Sequence, residues 1–476
     1  LVLSVQEMSR LTTTDVKSGT KGTLAAGSGD AVFSSVSIDT RTLERGAVFF
    51  AIRGPNQDGH RFVPDAISKG ALGVVVEQSY EYPGELPADV ALIQVDDTHQ
   101  ALKRLAASMR RRWSGTLVAV TGSMGKTTTR EFVAQVMRCG FHVYQTPGNY
   151  NNLFGLPLAL LSLSVDSDIG IFEMGMSAPG EIAEMCRIAA PEVGILTNVA
   201  PVHLAFFDSL QQIARAKGEL AAALPEEGTL IYNSDDPLVR EIAEGFHGRK
   251  ISFGFLDFAN VRASEIEIVS LAKTRFQLSC GSRTQPAALP FAGAHYVMNA
   301  LPAVALGRQY NIPLEQIIQR LGELRQVAMR GQILSFREGY TVIDDSYNSN
   351  PRALNQMIEL LSVVPSFSRR ILAAGEMLEL GIHSDSLHRE CGLFAADRRL
   401  DMVIGIQGAA REIIRAARES GMSESRALFF EDADSAADFI AGIVRSGDLV
   451  LIKGSRGVHT ERIVHRLCSG FESSSV

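Results

Sequence analysis

At 476 residues and 51.5 kDa, the chain exceeds the size at which one hydrophobic core stops growing, so two or three domains are expected. A net charge of -7 and a pI near 5.9 exclude a global attraction to nucleic acid, and no apolar run is long enough to span a bilayer. Cys139, Cys186, Cys280, Cys391 and Cys468 are scattered with no CxxC pair or histidine spacing, which argues against a zinc site or disulfide scaffold and for reduced thiols in the cytoplasm. The opening LVLSVQEMSRLTTTDV lacks the basic start, long apolar segment and small-residue cleavage site of a secretory signal. Leu1 in place of methionine leaves a truncated start, a processed end or an unusual start codon open.

Between Val48 and Val95 the apolar runs AVFFAI, LGVVVE and ALIQV alternate with a helical stretch near Phe62 to Lys69, the pattern of a small α/β unit. Gln100 to Trp113 repeats apolar positions at helical spacing and ends in Arg110, Arg111 and Arg112, predicting a connecting helix whose arginine run is a solvated face. Next come the strand and turn of VAVTGSMGKTTT, a helix to Cys139, strand FHVY, turn TPGNYNN, helix LPLALLSL, strand DIGIFEMG, a helix from Glu181 and strand VGILTNV. Such alternation predicts a mostly parallel sheet with helices on both faces. Ser209 to Leu224 reads as an amphipathic helix carrying Lys217, residues 229 to 290 as strands and turns, and GAHYVMNALPAVALG as a helix with a proline near its start. From about Arg330, strands QILSF, YTVIDD, RRILAAGEM, DMVIGI, LFF and DLVLIKGS alternate with helices as a second open α/β unit. In open sheets ligands bind beyond the carboxyl ends of the strands, so Gly122, Glu173 and Asn198 should share one rim. The strand-end residues of the last unit, Asp344, Asp345, Glu376 and Lys453, are mostly charged.

The stretch Val118 to Thr129 carries the sharpest chemistry. A β-branched strand enters a glycine turn that leaves into a helix, so backbone amides, the helix N-terminus and the Lys126 ammonium can converge on phosphate. A usual P-loop has four residues between its glycines, whereas Gly122 and Gly125 are separated by two and position 120 is valine, which makes this a shortened variant. Lys126 can neutralise β- and γ-phosphate charge, and the Thr127 hydroxyl can ligate magnesium. Glu173 ends an apolar strand, where an unpaired carboxylate is costly to bury, and its place on the phosphate rim favours a metal role over a capping or salt-bridged acid. Residue type leaves His203, Lys217, Asn299 and Asp345 open. A lone histidine is more often a satisfied residue than a ligand, a helix lysine usually snorkels into solvent, and a helix asparagine or a strand-end acid has ready structural uses.

Taken in order, SIDTR, DGHRF, TGSMGKTTTR, TPGNYNNLFGLPLALL, EMGMSAPGEI, HL...AKGE, DDSYNSNP, GEMLELG and LIKGSRG resemble the Mur ligases of peptidoglycan synthesis, most closely the MurF branch, from about Ser37 to about Arg466. The resemblance implies a three-domain α/β fold. Residues 1–98 would form a small N-terminal α/β domain for the UDP-precursor, 99–328 a central P-loop-type ATPase domain and 329–476 a C-terminal Rossmann-like ligase domain. By motif, Asp39, Thr40 and Arg41 fall in the uridine-nucleotide region, with Asn149 and Asn151 also on the substrate side. Gly122, Ser123, Gly125, Lys126, Thr127 and Thr128 resemble the ATP phosphate loop. Thr127, Glu173 and His203 resemble Mg2+-site residues, and Lys217 the lysine that becomes a carbamate from CO2, with Lys126, His203 and Lys217 as the catalytic group. Asn299, Arg330 and Asp345 resemble adenine, phosphate and ribose contacts, while Asn348, Asn350, Lys453, Ser455 and Arg456 sit in motifs that face the cleft between the central and C-terminal domains.

The implied reaction is ATP-dependent addition of D-alanyl-D-alanine to UDP-MurNAc-tripeptide through an acyl phosphate, by a cytoplasmic monomer that binds small molecules, no nucleic acid and no membrane. Asn350-Pro351-Arg352 resembles the tail of the DNPR motif of the MurE branch but directly follows DDSYNS, and GEMLELG and KGSRG favour MurF. The alternatives are another ATP-dependent amide ligase, MurE-like or related to folylpolyglutamate synthase, and a nucleotide-gated regulatory protein without ligation.

Overall fold

The computed structural model describes residues 11–54, 57–201, 206, 207 and 209–469. Among these described residues the strands form a five-stranded, a nine-stranded and a six-stranded sheet and one two-stranded ribbon. The nine-stranded sheet is organised on the strand Thr116–Thr121, which runs parallel to Ile169–Glu173 on one side and to Val193–Leu196 on the other. Alternate residues of a strand face opposite ways, and here Leu117 and Ala119 enter one core cluster while Val118 and Val120 enter the other. A central parallel strand is covered on both faces, which is why this run is apolar throughout. The helix Lys126–Met137 lies on the second face, where Phe132 stacks on Phe291 with ring centroids 5.5 Å apart.

The sheet continues through the parallel strands Thr229–Asn233 and Arg249–Gly254 to Val261–Ser270, then turns antiparallel through Lys273–Cys280 and Arg283–Leu289. Ile268 and Leu271, at the tip of this extension, pack against the core of the six-stranded sheet and tie the two units together. In the six-stranded sheet Thr341–Asp345 pairs in parallel with Asp448–Lys453, and the register sets Asp345 opposite Lys453. The five-stranded sheet comprises parallel strands Val36–Ser37, Val48–Phe50, Gly73–Glu77 and Ala91–Val95, with Thr23–Ala26 antiparallel at its edge.

Three features depart from the sequence pattern. The helix Thr13–Thr20 and its short flanking strands precede the first legible run. This helix is started by a Thr12–Asp15 capping box and seated on the helix Thr98–Arg112, with Gly19 against Leu105. Pro302 lies in the interior of the helix Ala294–Gln309 instead of near its start. Arg110 is buried, not solvated. Its guanidinium donates to the carbonyls of Trp113 (3.1 Å), Ala189 (2.7 Å) and Ala190 (3.1 Å) and pairs with Glu192 at 2.5 Å. Ala189 and Ala190 end the helix Glu181–Ala189, so Arg110 satisfies carbonyls that a helix C-terminus leaves without partners. Arg111 and Arg112 are exposed as expected.

Removing this clamp strands several carbonyls and a charge-assisted bond worth about 1.5–3 kcal/mol. Arg110→Ala should therefore lower the first thermal transition by several degrees in differential scanning calorimetry. An unchanged melting curve would remove Arg110 from the packing of the first two units.

Candidate active site

The loop after Thr121 is shaped by the neighbouring strand end. Asn198 accepts from Ser123 N through its carbonyl (2.9 Å) and from Met124 N through Oδ1 (3.0 Å), and its Nδ2 donates to the Met124 carbonyl (3.1 Å). Thr197 Oγ1 donates to the same carbonyl at 2.7 Å, while Ser123 Oγ accepts from Ala200 N at 2.8 Å. Gly122 has φ 148° and Gly125 φ 78°, and both lie where a side chain would collide, Gly122 with the Thr197 hydroxyl and Gly125 with the Asn299 amide. Asn299, expected at the adenine, thus rests against the phosphate loop. Lys126 Nζ donates across the loop to Gly122 O at 2.8 Å and Ser123 O at 3.4 Å. Burial lowers the Lys126 pKa; Glu173 opposes that shift and Arg330 adds to it. Thr128 is buried on the first helical turn.

Glu173 is 3% exposed and fully engaged. Its Oε2 accepts from Thr127 Oγ1 at 2.8 Å, its Oε1 accepts from Asn151 Nδ2 at 2.8 Å, and Arg130 Nη1 stands 3.7 Å from Oε2. Asn151, expected on the substrate side, commits its amide to this carboxylate, whereas Asn149 is exposed on the same loop. The Thr127 and Glu173 oxygens are the hard donors Mg2+ takes, and their separation is close to the edge of an octahedron with bonds of about 2.1 Å. Among the described residues no cluster of three or more His, Cys, Asp or Glu side chains forms. Mg2+ is usually held by one or two carboxylates and substrate phosphates, and Glu173 is the carboxylate beside this loop. His203 lies outside the described residues.

Lys217 does not reach solvent. It is 2% exposed on the helix Leu210–Ala223 and makes no hydrogen bond or ion pair among the described residues. Burial first, and then the charge of Lys126, push its pKa well below that of an ordinary lysine. Two residues on, Glu219 accepts from Gly180 N (2.7 Å) and Ala183 N (3.0 Å), pinning this helix to the start of the helix Glu181–Ala189.

On the third sheet, Lys453 Nζ bonds Asp345 at 2.6 Å and the Asn348 carbonyl at 2.9 Å, a buried pair at two adjoining strand ends. His295, close to both charges, has its pKa pushed by burial down to about 4. The Arg330 guanidinium stacks 4.1 Å from the Tyr347 ring centre, and Arg456 approaches the same ring at 5.8 Å. Ser455 Oγ accepts from Leu378 N at 2.9 Å. Asn350 caps the helix Pro351–Val363 by accepting from Ala353 N, so its side-chain oxygen has a structural use. In the five-stranded unit, Arg41 folds onto Asp39 at 2.6 Å and holds that carboxyl below its usual range, and the Thr40 carbonyl accepts from Lys69 at 3.0 Å. These three residues form a turn of their own, separate from the phosphate loop. The roles of Asn198, Arg130 and Glu219 are not legible in the sequence, because their partners Met124, Glu173 and Gly180 lie far away in it.

A glycine loop at the carboxyl end of a parallel strand, with a lysine, a threonine and a buried carboxylate on one rim, defines an α/β nucleotide-dependent enzyme. Residues 32–110 match the Mur ligase family catalytic domain, 120–307 the Mur ligase middle domain and 329–456 the Mur ligase glutamate ligase domain. The UDP-N-acetylmuramoyl-tripeptide--D-alanyl-D-alanine ligase of Bacillus subtilis is 32% identical over 461 residues, covering 97% of this chain and 99% of its own. The enzyme of the same name from Escherichia coli is 32% identical over 445 residues, 92% of this chain and 94% of its own. Among solved structures, MurF from Acinetobacter baumannii superposes with a TM-score of 0.86 at 28% identity, covering 97% of this chain and 99% of that one. MurF ligase from Thermotoga maritima in complex with ADP gives 0.79 at 28% identity, with 91% and 96% covered. The chain belongs to the Mur ligase family.

Second-sphere partners of a metal site typically set 10- to 100-fold in affinity or activity, on the order of what Asn151 should contribute. Asn151→Ala should raise the Mg2+ concentration for half-maximal ATP turnover by about that factor, read from a magnesium titration. An unchanged titration would separate Asn151 from the metal site.

Proposed function

We propose that the chain joins D-alanyl-D-alanine to the terminal carboxylate of UDP-N-acetylmuramoyl-tripeptide, forming an amide at the expense of ATP. The observation that carries this is the rim of Lys126, Thr127 and Glu173 in a chain that matches ligases of that name along nearly its whole length. Residues 1–98 would hold the UDP-precursor, with Asp39, Thr40 and Arg41 at its nucleotide. Residues 99–328 would hold ATP, with Asn299 and Arg330 beside the loop, and 329–476 the dipeptide, the chain acting as a cytoplasmic monomer.

A carboxylate oxygen is a poor leaving group. Transfer of the γ-phosphoryl to that oxygen gives an acyl phosphate and ADP; attack by the dipeptide amine then forms the amide and releases phosphate. Lys126 and the amides at the N-terminus of its helix hold the β- and γ-phosphates while charge shifts between them, so this protein contributes mainly position and electrostatics. Thr127 and Glu173 would hold Mg2+, which when bound neutralises phosphate charge. Asn151 and Arg130 keep the Glu173 carboxylate turned to the loop. Closing the three units around the intermediate would exclude the water that hydrolyses it.

Lys217 would carry a carbamate. Burial and the neighbouring Lys126 charge push the Lys217 pKa down, which favours the neutral amine, and the amine nitrogen adds to CO2 with loss of one proton to give an anion. The anion so formed attracts Lys126, the neighbour that disfavours a charged Lys217 ammonium.

Lys126→Ala should abolish ligation, by about 100-fold or more, while the melting curve is kept; full activity in that variant would sink the phosphate-loop assignment. Offered D-alanyl-D-alanine, diaminopimelate, lysine and glutamate, the protein should give a mass-shifted product with the dipeptide alone. Lys217→Ala should lose activity and regain part of it with added short carboxylic acids; no recovery would count against the carbamate.

A further inference from the structure

The loop of the GEMLELG motif leaves the strand Arg369–Gly375 at the rim that also carries Lys453, Ser455 and Arg456. Three consecutive residues of this loop are held by their backbone. Glu376 N donates to Ile406 O at 3.0 Å and Glu376 O accepts from Ser455 N at 3.2 Å; Leu378 N donates to Ser455 Oγ at 2.9 Å. Between them, Met377 N donates to His388 Nε2 at 2.9 Å. His388 stands on the helix Ser384–Asp397 with no exposed surface, and its Nδ1 lies 2.7 Å from the Ser384 carbonyl. A carbonyl can only accept, so Nδ1 carries the hydrogen and Nε2 is left as the acceptor. The neutral ring with its proton on Nδ1 is thus the one form that satisfies both neighbours.

We propose that His388 is a positioning residue for the dipeptide: by latching Met377 it holds the loop 376–381 in the shape that seats the incoming D-alanyl-D-alanine. The proposal rests on reading 329–476 as the acceptor-binding unit. The latched loop presents Leu378, 42% exposed, beside Ser455 at the strand-end rim, an apolar group suited to the methyl groups of a small dipeptide. Gly457 makes room for Leu378, whose Cδ1 lies 3.0 Å from where a Cβ would stand.

The latch has a pH dependence with a definite sign. Burial disfavours the charged ring, and it outweighs the Ser384 carbonyl and three carboxylates that favour it: Glu376 at the strand end, Asp385 on the same helix and Glu412 on the helix Ala410–Glu419. The pKa of His388 is therefore lowered from its ordinary value, and the latch is intact at neutral pH. As pH falls through the lowered pKa, Nε2 gains a proton, faces the Met377 N–H as a second donor and lets go.

His388→Leu removes the acceptor, whereas His388→Gln can offer an amide oxygen to Met377. With the full-length enzyme, His388→Leu should raise the KM for D-alanyl-D-alanine about tenfold or more and leave the KM values for ATP and the UDP-precursor within about twofold, with His388→Gln close to wild type. In parallel, hydrogen exchange of the 376–381 amides, corrected for intrinsic rates, should show protection that falls in acid in the wild type and stays flat in His388→Gln. Equal rises in all three KM values, or a dipeptide KM unmoved in His388→Leu, would overturn the positioning role. Protection that does not change with pH would overturn the latch even if His388→Leu fails to fold. A wild-type enzyme that makes no product from the dipeptide would instead overturn the acceptor assignment, while the exchange arm still decides the latch.

Discussion

The buried carboxylate of Glu173 is the constraint that the centre of the molecule is arranged around. A carboxylate at the end of an apolar strand is costly to bury unless both oxygens are satisfied. Thr127 comes to it from the phosphate-loop helix, Asn151 from the following loop, and Arg130 stands near with its own anchor on the Gly148 carbonyl. Satisfying one acid therefore fixes where the loop, its helix and the 147–155 segment meet. Lys126 is placed by the same construction, one residue before Thr127, over the loop carbonyls.

A second constraint works through the sheet. The strand Val193–Leu196 lies beside the loop strand, and the residues after it, Thr197, Asn198 and Ala200, mould the loop through backbone and side-chain bonds. The loop is shortened by two residues relative to a usual P-loop, and this neighbour helps hold what remains. The charged partners at the third sheet, Asp345 and Lys453, are set opposite each other by strand register alone, so their pairing is a property of the fold. Whatever binds above them meets a neutralised pair and the stacked Arg330, Tyr347 and Arg456.

Alternation of short apolar runs with helical spacing is a local signal, and it reads the strands from Val48 to Val199 and from Gln332 onward, whereas the five strands between Thr229 and Leu289 show only as strands and turns. The rim shared by Gly122, Glu173 and Asn198 follows from the same alternation, since each residue ends or follows a parallel strand. The first 37 described residues were illegible because their strands are two to four residues long and the helix Thr13–Thr20 carries no apolar stripe. Nothing in a run of three arginines reveals that Arg110 is buried, because the carbonyls it satisfies belong to a helix that ends nearly eighty residues later. Lys217 shows the same limit: the helical pattern gives its face only roughly, and what buries it is the docking of its helix through Glu219.

The central claim is that the rim around Lys126 drives phosphoryl transfer to a carboxylate and not to water. It is tested most directly by placing 18O in the terminal carboxylate of the UDP-linked tripeptide and following the label during turnover with ATP and D-alanyl-D-alanine. An acyl phosphate requires that one 18O per amide formed leave in inorganic phosphate, and that outcome is expected. Amide product with unlabelled phosphate would contradict the account.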